Sequence, residues 1–193
     1  MDNKILIGVV ATDYVKVKTL ATIVSIVKRF PNAFLLVQQG CYLHKNREEV
    51  AMHAVKEGYT HLFFIDSDMC FSAQVLDRFL EDDKDIVGAH YNMRHLPLES
   101  TMKLTDSKGK YKAETKEIPK GLFKVHALGT GCLLIKTEIF KKIPEPWFWY
   151  GDSDNKETWV GEDMYFCEKA HKFGYDVWAD GSVEIGHIGE TIF

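Results

Sequence analysis

The sequence predicts an α/β fold with a mostly parallel central sheet flanked by helices. Ile5–Ala11 and His61–Ile65 are nearly unbroken apolar runs, the pattern of strands that are buried on both faces. Strands then alternate with helices as far as about residue 90, which is the order of βαβ units in a parallel sheet. These two observations together predict the fold class.

The front half is predicted to contain four strands and three helices. In chain order they are the strand Ile5–Ala11, the helix Thr19–Phe30, the strand Ala33–Val37, the helix Asn46–Lys56, the strand His61–Ile65, the helix Ala73–Leu80 and the strand Asp85–Gly88. In the first helix Leu20, Ile23, Val24 and Val27 recur at helical spacing. In the second, Asn46 is placed to cap the N-terminus.

The back half does not continue the alternation of strands and helices. Residues 99–117 alternate between polar and apolar side chains around a polar turn, which predicts a small exposed β-hairpin. A strand at Cys132–Lys136 and an irregular aromatic segment at 144–160 come next. The chain then forms a helix at Glu162–Lys172, ended by Gly174, and a strand at Tyr175–Ala179. No linker divides the two halves, so we expect one domain.

Composition removes several functional classes. The chain has 193 residues, 46% of them hydrophobic and 27% charged, which excludes intrinsic disorder and coiled coils. A net charge of -4 disfavours general nucleic-acid binding, which depends on neutralising phosphates. No apolar run approaches the ~20 residues of a membrane span, and no signal peptide is evident. The four cysteines form no C-x-x-C pair and predict reduced thiols in the cytoplasm.

The acidic sequence Asp66-Ser67-Asp68 is the sharpest candidate site. Neither a P-loop nor a G-x-G-x-x-G sequence occurs, so ATP and dinucleotide binding lose their main support. Ligands of open α/β sheets bind beyond the carboxyl ends of strands, and Asp66 follows the strand His61–Ile65. Residues i and i+2 of an extended chain point the same way, so both carboxylates can reach one Mg²⁺ or Mn²⁺. The alternative is a solvated turn or a helix cap.

Two further motifs carry weaker signals. Glu162 and Asp163 follow Gly161 in the first turn of a predicted helix, where they could serve as a general base or simply stabilise the helix dipole. His187 lies between Gly186 and Gly189, and glycines allow close approach of a ligand to the backbone. A single histidine is more often structural.

The aromatic segment before the last helix has two interpretations. Trp147, Trp149, Tyr150 and Trp159 fall in one irregular stretch. They could pack a loop onto the core, or they could form a surface on which a sugar or another flat acceptor stacks. The sequence leaves both open.

Taken together, these motifs resemble the nucleotide-sugar-dependent glycosyltransferases of the GT-A fold, in particular the inverting family-2-like group. The similarity runs from Ile5 to about Gly189. It is carried by five segments: His-Leu-Phe-Phe-Ile-Asp-Ser-Asp-Met at 61–69, Ile-Val-Gly-Ala-His-Tyr-Asn-Met-Arg at 86–94, Leu-Gly-Thr-Gly-Cys-Leu-Leu-Ile at 128–135, Gly-Glu-Asp-Met-Tyr-Phe-Cys at 161–167 and Gly-His-Ile-Gly at 186–189.

The resemblance assigns a role to each matching position. Asp66 and Asp68 match the DxD motif and His187 the C-terminal histidine, together a site for Mn²⁺ or Mg²⁺. Asp163, with Glu162 beside it, matches the catalytic base of the xED motif. The residues that match nucleotide or donor contacts are Ala11, Thr12, Asp13, Tyr14, Arg47, Asp66, Ser67, Gly129, Thr130 and Gly131.

The function implied is transfer of one sugar from a UDP- or GDP-sugar to an acceptor hydroxyl, with inversion. The expected division is a nucleotide-binding half over about 1–92 and an acceptor-side half over about 93–193. The chain lacks the Q-x-x-R-W motif of processive synthases, which favours single transfer. The acceptor stays open among glycan, lipid carrier, protein and modified nucleobase. A nucleotidyltransferase and a non-catalytic nucleotide-sugar or glycan-binding module are the alternatives.

Overall fold

The apolar run at the start of the chain forms β1, a fully buried strand inside a seven-stranded sheet. The computed structural model describes residues 3–105, 111–113, 118–152 and 159–189. The strands are β1 Ile5–Ala11, β2 Ala33–Gln39, β3 His61–Asp66, β4 Met69–Cys70, β5 Ile86–Gly88, β6 Lys103–Thr105, β7 Tyr111–Ala113, β8 Leu122–Val125, β9 Cys132–Lys136, β10 Gly151–Asp152, β11 Trp159–Val160, β12 Val177–Asp180 and β13 Gly186–His187. The helices are α1 Val17–Arg29, α2 Leu43–Lys56, α3 Gln74–Asp82 and α4 Glu162–Lys172, with a 3₁₀ helix at Thr137–Lys141.

The sheet is mixed, with the strand order β2-β1-β3-β9-β5-β12-β8. β1 pairs in parallel with β2 and β3, and β5 pairs in parallel with β12. β9 lies between β3 and β5 and runs antiparallel to both, and β8 runs antiparallel to β12. The α/β class is therefore confirmed, whereas half of the neighbouring pairs are antiparallel. The chain enters β9 at the carboxyl edge of β3, which forces the opposite direction.

Both faces of the sheet are covered by helices. Alternate residues of β1 point to opposite faces, as expected for a strand. Leu6 and Val10 pack in a cluster with α2, α4 and the 3₁₀ helix. Ile5, Ile7 and Val9 pack in a second cluster with α1 and α3. This double burial explains why the strand sequence is continuously apolar.

Local sequence predicted most element bounds to within a few residues. The strand Cys132–Lys136 and the helix Glu162–Lys172 match the prediction residue for residue, and Gly174 ends α4 with a φ of 84°. β6 and β7 pair as the predicted hairpin, although its turn at 106–110 lies outside the described residues. Strands from both predicted halves share the central sheet.

The predicted cap of α2 is wrong, and the apolar residues of α1 are mostly exposed. α2 begins at Leu43, and Asn46 lies inside it, where its side-chain amide donates a hydrogen bond to the Gly40 carbonyl. In α1 only Ile23 of the predicted apolar set is buried, while Leu20 is 51% exposed. Val24 and Val27 are also exposed, although the helix itself forms at Val17–Arg29.

We expect Gly8→Ala to destabilise the fold. A Cβ at Gly8 would lie 2.5 Å from Cγ1 of Val50 and 3.1 Å from Cδ1 of Leu62. Forcing a methyl group into a packed core typically costs about 1–3 kcal/mol, which urea unfolding would measure. Gly151→Ala is the control, because its Cβ would lie at 3.6 Å from Cδ2 of Tyr165, an ordinary contact. Equal stability of the two variants would contradict the prediction.

Candidate functional site

The candidate site lies at the carboxyl edge of the sheet, where β3 ends at Asp66. Asp68 immediately precedes β4, and β4 pairs with β13 so that Met69 lies opposite His187. This pairing brings the C-terminal histidine to Asp68, with 3.4 Å between Nε2 of His187 and Oδ1 of Asp68. The structure thus joins Asp68 and His187, as predicted.

The two aspartates of the DxD sequence have different partners. Oδ1 of Asp66 accepts a hydrogen bond of 2.9 Å from Nη2 of Arg47. Oδ2 of Asp68 lies 2.6 Å from Nη1 of Arg94. Within the described ranges, no three His, Cys, Asp or Glu side chains are grouped closely enough to hold a metal ion. Convergence of both carboxylates on one cation therefore stays a prediction.

Arg47 connects the two acidic motifs. It lies on α2, is only 3% exposed, and its Nε donates a hydrogen bond of 3.1 Å to Oε1 of Glu162. Burial lowers the pKa of the Arg47 guanidinium, but Asp66 and Glu162 raise it above its usual value. Its Nη1 is buried without a hydrogen-bond partner among the described residues. The side chain is thus a permanent cation between Asp66 and Glu162.

The base predicted from the xED sequence occupies the N-terminus of α4. Asp163 accepts a hydrogen bond of 2.7 Å at Oδ1 from the backbone N–H of Met164. Burial, together with the adjacent Glu162 carboxylate, raises the pKa of Asp163 to about 6. A carboxylate that titrates near neutral pH is suited to accept a proton from a hydroxyl.

Tyr91 is a central residue that the sequence analysis missed. It is buried, and its hydroxyl accepts a hydrogen bond of 2.9 Å from the backbone N–H of Gly131. A Cβ at Gly131 would lie 2.6 Å from this hydroxyl and 2.9 Å from Oδ2 of Asp66, so only glycine fits. The ring also contacts His187 edge to face, with 5.3 Å between centroids. In the sequence, Tyr91 was noted only as part of the segment 86–94 that carries the resemblance.

The predicted glycine loop therefore supports the edge of the sheet. The backbone carbonyl of Gly131 accepts a hydrogen bond of 3.1 Å from the N–H of Asp66. Gly129 is also packed directly against the Tyr91 hydroxyl. Thr130 between them is buried, and its Oγ1 has no hydrogen-bond partner among the described residues. The loop therefore holds Asp66 in place from the sheet side.

A cleft beside the two aspartates has the composition of an anion site. Its lining residues are Val10, Thr12, Tyr14, Lys16, Leu43, Arg47, Asp66, Ser67, Asp68, Arg94 and His187. Of the predicted segment after β1, Thr12 and Tyr14 lie in this lining, whereas Ala11 is buried at the end of β1 and Asp13 is exposed outside it. Three cationic side chains and two carboxylates line the cleft, and this excess of one positive charge favours an anionic ligand.

The donor set of Asp68 and His187 fits a divalent cation. Nδ1 of His187 lies 2.8 Å from the carbonyl of Asn92, to which it donates its proton, so that Nε2 faces Asp68. Octahedral ligands at ~2.1 Å stand about 3 Å apart, close to the 3.4 Å between Nε2 and Oδ1. Mg²⁺ and similar ions are commonly held by one or two protein ligands and substrate phosphates.

The aromatic segment divides between core and surface. Trp147 is 4% exposed, and its indole N–H donates a hydrogen bond to the Ile143 carbonyl. Trp149, which is 47% exposed, and the partly buried Tyr150 both contact the ring of His44 edge to face, at 5.0 and 4.8 Å. His44 lies one turn before Arg47 on α2. Burial, together with the Glu162 and Asp163 carboxylates, raises the pKa of Tyr150, so this residue lies near the acids. The side chain of Trp159 lies outside the described residues.

The carboxylate of Glu48 holds this segment in place. It accepts hydrogen bonds of 2.8–3.0 Å from the backbone N–H groups of Trp147 and Phe148. Because Glu48 follows Arg47 on α2, one helix positions both the cation between the acids and the aromatic segment.

Comparison with known proteins shows the fold. No protein-family model matches the chain. No curated protein matches it either. Among solved structures, the crystal structure of A197 from STIV matches with a TM-score of 0.66 and 20% sequence identity, over 96% of this chain and 85% of that chain. The TM-score shows a shared fold, and at this sequence identity the likeness shows the fold alone.

None of the helices in the described ranges has the length and apolar character needed to cross a membrane.

We expect Asp163→Asn to stabilise the protein at high pH. The folded-state pKa of about 6 exceeds the ordinary 3.8, so the folded protein holds this proton more tightly than the unfolded chain. The contribution to stability is complete below about pH 4 and is lost as the pH rises through about 6. Asparagine carries no such charge, so the variant should gain roughly 1–3 kcal/mol over wild type at about pH 8 and about a third of that gain at about pH 4.5.

Urea unfolding at the two pH values measures this difference. Asp176→Asn is the control, because Asp176 is an exposed carboxylate paired with Lys124. A gain from Asp163→Asn that does not change with pH would show that Asp163 is not the titrating group.

Proposed function

We propose that the protein is a metal-dependent glycosyltransferase of the GT-A type, which moves one sugar from a UDP- or GDP-sugar to an acceptor hydroxyl with inversion. The observation that supports this most is the buried Arg47, which bonds Asp66 of the DxD sequence and Glu162 of the xED sequence. Two acidic motifs separated by about a hundred residues are thereby fixed beside one cationic cleft.

The donor side of this reaction consists of the cleft and the DxD sequence. A Mn²⁺ or Mg²⁺ ion held by Asp68 and His187 would stabilise the negative charge that develops on the leaving diphosphate. Lys16 lines the same cleft and adds positive charge for the phosphates. Tyr14 is 60% exposed at the cleft, and it offers a ring on which a nucleobase can stack.

The acceptor side is Asp163. Its pKa of about 6 makes it a carboxylate at neutral pH that still has appreciable proton affinity. It would take the proton from the acceptor hydroxyl as the oxygen attacks the anomeric carbon, a role typically worth ~10²–10⁴ in rate. The hydrogen bond from the Met164 N–H to Oδ1 holds this carboxylate at the start of α4.

Binding of a nucleoside diphosphate should require the metal and Asp68. In thermal-shift measurements, UDP or GDP should raise the melting temperature of the wild type when Mn²⁺ is present and have little effect without it. Asp68→Ala removes the oxygen ligands of the ion and should abolish the Mn²⁺-dependent shift. Asp85→Ala is the control, because Asp85 precedes β5 at the opposite edge of the sheet. Indifference of the wild type to both nucleotides would refute the proposal.

Transfer should require Asp163, whereas donor binding should not. We expect Asp163→Asn to bind the nucleotide as the wild type does and to lose ~10²-fold or more in kcat. Mass spectrometry of the products of a donor and acceptor screen would measure transfer, and NMR of the anomeric proton would show inversion. Near-normal turnover would remove Asp163 as the base. Release of pyrophosphate from a nucleoside triphosphate and a sugar phosphate would instead identify a nucleotidyltransferase.

A further inference from the structure

Arg94 is paired with Oδ2 of Asp68, beside the position between Oδ1 of Asp68 and Nε2 of His187 where the proposed function needs a metal ion. Its Nη1 lies 2.6 Å from Oδ2 of Asp68, while Oδ1 faces Nε2 of His187. Arg94 also lines the cationic cleft. In the sequence, this arginine is the last residue of the segment 86–94, to which no role was assigned.

A guanidinium and a divalent cation bound to Asp68 at the same time would weaken each other's binding. An ion bound between Oδ1 of Asp68 and Nε2 of His187 would lie within a few ångströms of the Arg94 guanidinium, and like charges at such a distance repel. Moreover, Asp68 is nearly buried, so little water is present to screen the repulsion. One of the two cations has to leave.

The structure leaves Arg94 free to move while its backbone stays fixed. The side chain is 50% exposed, and Gly189 beside it has no side chain to confine it. The flanking backbone is anchored, because Met93 N–H donates a hydrogen bond to the Glu99 carbonyl and Asn92 accepts one from His187. Arg47, by contrast, is buried between two carboxylates and cannot leave them.

We propose that Arg94 is the resident counter-cation of Asp68, that a divalent metal ion displaces it, and that the displaced guanidinium then binds the phosphates of the nucleotide. The second half of this proposal rests on the proposed donor site. The exchange moves one positive charge off Asp68 and into the cleft at the moment when the anionic ligand arrives. The planar fork of a guanidinium matches phosphate oxygens with two parallel hydrogen bonds.

Affinity for Mn²⁺ alone tests the first half. With no nucleotide present, Mn²⁺ binding is followed by the electron paramagnetic resonance of the free ion. Arg94→Gln should bind Mn²⁺ about tenfold more tightly than the wild type, because the competing charge is gone. Arg94→Lys keeps the charge and should bind Mn²⁺ about as the wild type does. An Arg94→Gln protein whose affinity is unchanged or weaker, including no binding at all, would overturn the exchange.

Affinity for UDP in saturating Mn²⁺ tests the second half. Arg94→Gln should bind UDP about tenfold more weakly than the wild type, because a charged hydrogen bond to phosphate is lost. A variant that bound Mn²⁺ more tightly and UDP equally well would show that the freed guanidinium does not reach the phosphates. Opposite changes in the two affinities could not come from a general loss of folding.

Arg29→Gln is the matched control. Arg29 is also 50% exposed and pairs with an aspartate, Asp77, at 2.5 Å, but it lies at the C-terminal end of α1 and outside the cleft. Neither affinity should change in this variant. The measurements involve no sugar transfer, so a protein that shows the exchange and yet transfers no sugar would keep this inference and refute the proposed reaction.

Discussion

The buried guanidinium of Arg47 is the interaction on which the site depends. It bonds Asp66 at the end of β3 and Glu162 at the start of α4 from its own position on α2. Burying any one of these charges alone would be costly, so each requires the others. Removing the guanidinium would leave two carboxylates facing each other with little solvent. Three elements are consequently held in one arrangement, and the distance between Asp66 and the start of α4 is fixed.

The two arginines of the site, Arg47 and Arg94, differ in their exposure and in the number of carboxylates that they bind. Arg47 is inaccessible and bound to two acids, so it is part of the framework. Arg94 is half exposed and bound to one acid, so its side chain is less confined than that of Arg47. The two aspartates therefore lie in different environments although they stand two residues apart. Asp66 is paired with a buried arginine, whereas Asp68 is paired with a half-exposed one.

Local patterns in the sequence determined much of the framework. β1, β9 and α4 could be predicted to the residue, because continuous apolar runs, acidic residues in a first helical turn and a closing glycine act over a few positions. The position of Asp66 at the carboxyl end of β3 followed from the same reasoning, since strand ends can be recognised locally. The pairing of Asp68 with His187 was implied by a family resemblance, and β13 shows how the backbone achieves it.

Tertiary structure alone decided the direction of β9, the partners of the acids and the exposure of the aromatic residues. Glu162 and Arg47 are 115 residues apart, so no local pattern could pair them. An antiparallel β9 has the same apolar sequence as a parallel one, because burial on both faces does not depend on direction. Trp147 and Trp149 are two residues apart, yet one is buried in the core and one is exposed, because the backbone of Trp147 is held by α2 through Glu48. Sequence specifies which groups are present; long-range packing specifies which of them meet.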